Sequence, residues 1–222
     1  MFYSHIDFDL IEKFSPIYHF DSQEEYFPID LNSFNNGRLN KNIVNVYLRE
    51  LKEISNDLIW IYYICFYTFD SGMKVCTPFN CFSKKKFSSH EFDFEIVILE
   101  INKKSEKICR VCFCPHGLDE NFWIAENDLE FILDKNNSDK IHIFVSRGKH
   151  ASYPVKGIIW RHFGFANDYN NDDRILLLKP IILTSNTINS EIFEPKKKCL
   201  SFDYNTIPVI PYRSVKKRKF FG

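Results

Sequence analysis

The chain has 222 residues, with 29 Lys and Arg balanced by 29 Asp and Glu, and 45% hydrophobic against 26% charged positions. These values exclude a disordered or collagen-like chain, and without a basic excess no nucleic-acid surface is expected. Aromatic residues reach 17%, with 23 Phe, while Gly occurs only 7 times. The heavy use of Phe, Ile, Asn, Lys and Tyr fits an AT-rich genome.

Residues 1–13 read as a short amphipathic lead. Asp7, Asp9 and Glu12 stand where a secretory leader carries basic residues, so a cytoplasmic location is expected. Phe14–Asp30, with Pro16 and Pro28, reads as extended or looped, and Asn32–Lys41 as a polar loop. Lys41–Asn56 reads as a short helix on Ile43, Val44, Val46, Tyr47, Leu48 and Leu51. Strands follow at Leu58–Phe69, Asp93–Ile101, Lys107–Cys114, Ile141–Ser146 and Arg174–Leu183, each rich in Ile, Val, Phe or Tyr. The most apolar of them, Leu58–Phe69, is shorter than the about 18 residues that span a bilayer, so no transmembrane segment is expected.

Between the strong strands, Asn102–Lys107 reads as a hairpin turn, although it lacks Gly. Glu126–Phe131 reads as a helical turn, and Lys135–Lys140 and Asn167–Asp173 as surface loops. Residues 213–222 form a basic tail, a candidate nuclear or anionic-membrane contact or a solvated terminus. The expected fold is mainly β: an antiparallel β-sandwich with a few short helices and long surface loops. It forms one domain over 1–222, with its core at about 14–212.

The cysteines are Cys65, Cys76, Cys81, Cys109, Cys112, Cys114 and Cys199. An odd number, where no secretory leader is expected, reads as free thiols rather than a disulfide framework. On a strand Cys109 points away from Cys112 and Cys114, which weakens a zinc reading of that run.

Three His-bearing segments carry the candidate chemistry. In His90–Glu95 (HEFDFE), Asp93 and Glu95 share one face of a strand, and Phe94 and Ile96 share the other. Two carboxylates side by side need either a wet face or a compensating cation, with His90 folding back as a third ligand. Carboxylate and imidazole donors suit Mg²⁺, Ca²⁺, Mn²⁺ or Zn²⁺. His116 follows the strand that ends at Pro115, with Gly117 beside it. His150 follows Arg147 and Gly148 at a sharp turn, with Tyr153 next. Each histidine is read as a site residue or as a hydrogen-bonded turn residue.

The ordered set of segments resembles the vacuolar protein sorting-associated protein 62 family. Pro16, Glu25, Pro28 and Asp30 match its opening segment, and Trp60–Gly72 its aromatic strand. His90–Glu95, Cys114–Gly117 and Gly148–Pro154 match its G-x-H-x-x-D-W-E, S-x-H and G-S-H-A-x-Y motifs in order. The His90, Asp93, Glu95 core is also similar to the heptapeptide of necrosis-inducing, ethylene-inducing peptide-like proteins. That resemblance implies a β-sandwich in which His90, Asp93 and Glu95 hold a divalent cation and His150 stands beside them. Some of those proteins are secreted, disulfide-bonded toxins that bind sphingolipid head groups. Here the motif Trp is Phe94, Ser88-Ser89 replaces the motif Gly, and Cys76–Ser89 offers no match for a further upstream Asp ligand.

These readings imply a binding module for a polar lipid or sugar head group, with metal ligands His90, Asp93 and Glu95 and binding residues Arg147, His150 and Tyr153. The alternatives are a metal-dependent hydrolase using His116 or His150 as acid or base, and an interaction protein with a vestigial site.

Overall fold

The computed structural model describes residues 5–35, 39–50, 57–74, 86–87, 89–115, 121–136, 139–159 and 168–183. In chain order these hold α1 (His5–Lys13), β1 (Ile17–Phe20), α2 (Leu31–Asn35), β2 (Ile43–Glu50), β3 (Leu58–Asp70), β4 (Met73–Lys74), β5 (Lys86–Phe87), β6 (His90–Asn102) and β7 (Lys107–Cys114). Then come β8 (Phe122–Ala125), a 3-10 turn (Glu126–Phe131), β9 (His142–Val145), β10 (Ser152–Tyr153), β11 (Gly157–Ile159), β12 (Asp168–Asn170), β13 (Arg174–Leu177) and β14 (Lys179–Ile182).

The fold is a mainly β sandwich. A six-stranded sheet runs β14-β2-β3-β6-β7-β8, and a four-stranded sheet runs β10-β9-β1-β13. Strand alternation builds the layer between them. Ile59, Ile61, Tyr63, Cys65 and Tyr67 of β3 point inward with Val97, Leu99 and Ile101 of β6. They meet Tyr18 and Phe20 of β1, and Ile143 and Val145 of β9. The aromatic excess thus fills the core: Tyr18, Phe20, Tyr63, Tyr67 and Phe113 are all fully buried. On the outer face of the larger sheet, Glu100 accepts hydrogen bonds from Trp60 Nε1 at 2.8 Å and Arg110 Nη2 at 2.7 Å.

The hairpin turn between β6 and β7 forms without Gly because Asn102 Oδ1 accepts the Lys104 and Ser105 amides, and Glu106 takes the left-handed position at φ +50°. Other expectations need correction. Residues 43–50 are strand β2, not helix. Ile43, Val44, Val46 and Leu48 are buried, and pairing with β3 supplies partners that a local reading cannot see. The first residues of the Asn32–Lys41 loop belong to α2, where Asp30 Oδ1 caps the Asn32 amide at 2.9 Å. Within the Asn167–Asp173 loop, Asp168–Asn170 is β12.

Arg174–Leu183 is two strands rather than one, β13 and β14, lying in different sheets. Leu178 turns into the core between them, and Pro180 sits on an edge strand, where its missing N–H is tolerated. The pairing is mostly antiparallel, but β1–β9 and β14–β2 are parallel. Cys65, Cys109, Cys112 and Cys114 are free thiols, and burial pushes the Cys65 thiol up to about 12. Cys112 and Cys114 share a face with sulfurs 3.7 Å apart, while Cys109 lies elsewhere. Cys76, Cys81 and Cys199 lie outside the described residues, as do His116, Gly117 and the basic tail.

Candidate functional site

The candidate site lies where the β3–β6 ladder ends. Tyr67 pairs with Asp93 and Cys65 with Glu95, so both acids face inward, as the alternation predicts. Glu95 is buried, and its carboxylate accepts the Ser152 amide of β10 at 3.2 Å. Asp93 stands nearer solvent. Its Oδ2 lies 3.3 Å from Nδ1 of His150.

His150 has no exposed surface. Its ring stacks on Tyr67, with centroids 3.8 Å apart and planes 5° apart. On its other side Nε2 lies 3.5 Å from Glu24 Oε1. Burial opposes a charge on this imidazole, but the hydrogen bonds and negative charges of Asp93 and Glu24 outweigh it, so its pKa is raised from 6.5. Glu24 is the mirror case. Burial disfavours its charge, yet His150 and the backbone amides of Tyr26 and Gly148 hold its pKa below 4.5. Gly148 N donates to Glu24 Oε2 at 2.7 Å, which ties the turn before His150 to the Glu24 loop.

Asp70 closes the other side of Asp93. It pairs across the ladder with His90, and its Oδ2 lies 3.4 Å from His90 Nε2. Burial raises the Asp70 pKa, the Gly72 amide opposes this, and the Asp93 charge adds to it. His90 Nδ1 lies 3.0 Å from the Phe92 carbonyl, which only accepts, so Nδ1 carries the proton. In the neutral ring that leaves the Nε2 lone pair toward Asp70. One ligand atom each from Asp70, His90 and Asp93 lies within 4.8 Å of the others. This is the one such group of three or more among the described residues. The side chains are 7%, 50% and 15% exposed, so the cluster opens to solvent through His90. Two carboxylates and an imidazole are a donor set for a hard or borderline divalent cation.

His90 and Asp93 therefore meet, joined by Asp70, while Glu95 lies deeper against Ser152. Asp70 and Glu24 are the residues that sequence reading missed. Asp70 ends the aromatic strand, ahead of Cys76–Ser89, which holds no acid. Arg147 is directed elsewhere, to Gln23 Oε1 at 2.6 Å and Asp21 Oδ1 at 3.6 Å. Tyr153 is buried, and its hydroxyl bonds Asp168.

Gly148 is required at its position. Its φ is +74°, and a Cβ would come 2.2 Å from Ser71 Oγ. Ser71 is itself fixed, donating its amide to the Gly148 carbonyl at 2.8 Å. Gly148→Ala is expected to lower stability by about 1–3 kcal/mol, read as a lower urea midpoint with unchanged slope.

The fold and the cluster define a β-sandwich with a carboxylate–imidazole site at one end of its larger sheet. The chain belongs to the vacuolar protein sorting-associated protein 62 family, whose model matches residues 44–219. Two solved structures are similar to it. One is Necrosis and Ethylene inducing Protein 2 from the causal agent of cocoa's Witches Broom disease, at 13% identity and TM-score 0.43, covering 77% of this chain and 72% of that one. The other is NLPPya in complex with mannosamine, at 12% identity and TM-score 0.48, covering 99% and 92%. No curated protein matches.

Proposed function

We propose that the chain is a cation-dependent binding module for a polar head group, of a lipid or a sugar. The observation that carries this reading is the convergence of Asp70, His90 and Asp93 within 4.8 Å at an exposed strand end. Such a cluster leaves coordination positions open on the solvent side for hydroxyl or phosphate oxygens of a ligand. The same strand exposes Phe94, apolar surface of the kind that rests against a lipid or a sugar ring. Binding is favoured over hydrolysis because His150 is wholly buried and held between two carboxylates, a place suited to orienting Asp93 rather than to exchanging protons with a substrate.

Calorimetric titration with Mg²⁺, Ca²⁺, Mn²⁺ and Zn²⁺ tests the reading. At least one cation is expected to bind, and Asp93→Asn to weaken it about ten- to a hundredfold. Retention on glycan- or lipid-coated surfaces is expected to vanish with chelator and to occur without turnover. The absence of any binding heat, together with an Asp93→Asn variant that behaves as the unsubstituted chain, would overturn it.

A further inference from the structure

Positions three apart on a strand point to opposite faces. His90 and Asp93 are three apart on β6, yet their ligand atoms share one cluster. No slip in register allows this, since Tyr67–Asp93, Phe69–Glu91 and Asp70–His90 keep a single pairing frame. Between His90 and Asp93 the backbone leaves strand geometry at Phe92, whose φ is +63°. That is the left-handed region, which Gly and Asn tolerate and bulky residues avoid.

Four non-glycine residues among those described are left-handed: Asn42, Phe92, Glu106 and His150. Asn42 and Glu106 lie in a bend and a turn, as expected of such backbone. The other two both bear on the cluster, and Phe92 alone sits inside a strand. Local strain of this kind persists where the surroundings over-determine it. Here the Phe92 carbonyl faces His90 Nδ1 at 3.0 Å, so the residue that turns the chain also anchors the imidazole it redirects. Phe92 is 45% exposed, and its ring leans on Phe34 and Phe66.

We propose that Phe92 is the positioning residue of the cluster: its left-handed backbone, and not its ring, brings His90 to Asp93, beside its ladder partner Asp70. The link to affinity rests on the cation reading above, whereas the link to His90 geometry does not.

Four variants of the full chain separate backbone from ring. Phe92→Gly and Phe92→Asn lose the ring and keep access to the left-handed region. Phe92→Val and Phe92→Ile are β-branched and lose that access. Affinity for the tightest of the four titrated cations is expected to stay near the unsubstituted value in the Gly and Asn variants. It is expected to fall about ten- to a hundredfold in the Val and Ile variants, with thermal unfolding still cooperative. A second readout needs no metal: proton NMR contacts between the His90 ring and the Asp93 β-protons persist in the Gly and Asn variants and vanish in the Val and Ile variants. Contacts kept in all four, or lost in all four, overturn the proposal. An unsubstituted chain that binds no cation but shows the expected contact pattern overturns the cation reading and leaves the positioning role standing. Should Val or Ile fail to fold, loss of the contacts in the folded Gly and Asn variants overturns it, and their retention sustains it.

Discussion

His150→Ala is expected to lower the unfolding free energy by about 3–5 kcal/mol, the range seen when one partner of a buried ion pair is removed. The imidazole stands between Asp93 and Glu24, whose hydrogen bonds and charges outweigh burial and favour its charged form, and the Glu24 side chain is 2% exposed. Deleting it leaves that carboxylate buried without its counter-charge and removes the face stacked on Tyr67. A second change identifies the charge as the cause. Glu24→Gln in the His150→Ala background removes the stranded anion, so the double variant is expected to be more stable than the sum of the single effects allows. Strict additivity in urea unfolding would show that the pair is not coupled. The pH dependence has a definite sign. The His150 pKa is raised on folding, so its contribution is fully present below pH 6.5 and is lost as pH rises through the folded value.

The central strands are legible because each is a run rich in Ile, Val, Phe or Tyr. Leu58–Phe69, Asp93–Ile101 and Lys107–Cys114 all show this composition, and the shared face of Asp93 and Glu95 follows from strand alternation. β2 is not legible that way. Val44, Tyr47, Leu48 and Leu51 also satisfy helical spacing, and only β3 alongside decides for a strand. The parallel pairings β1–β9 and β14–β2 join segments distant in sequence, with no local signal.

The site divides in the same manner. His90, Asp93 and His150 are visible as motif residues. Glu24 comes from a segment with no regular structure, and Asp70 from the end of a strand read only for its aromatic content. Neither carries a pattern until the ladder and the Gly148 turn bring it to its partner. The left-handed backbone of Phe92 is hidden more deeply, since Phe is among the residues from which such a φ is least expected.

Acid is expected to destabilise the smaller sheet through a histidine pair. His19 of β1 and His142 of β9 face each other across the parallel ladder, with Nε2 and Nδ1 2.7 Å apart. One ring must donate and the other accept, so the pair accommodates a single bridging proton, and a second charge would set two cations face to face. His19 is also buried and stacked on Phe144, with ring centroids 4.5 Å apart. Burial first, and the His142 charge next, lower its pKa from 6.5 to about 4. Asp172 opposes this shift and Lys156 adds to it. Asp134 lies 3.7 Å from the far nitrogen of His142. Between these two values the unfolded chain binds the proton and the folded chain refuses it. Stability is therefore full above pH 6.5 and falls as pH drops toward 4, by about 1–3 kcal/mol from this group once solvent screening is allowed for. Carboxylates titrate in the same window, so the comparison with His19→Gln is what isolates it. The amide can still donate to His142 Nδ1 but takes up no proton. The variant is expected to lose about 1–3 kcal/mol of the acid dependence measured by urea unfolding between pH 7 and pH 4. Parallel stability curves for the two proteins would place the acid sensitivity elsewhere in the fold.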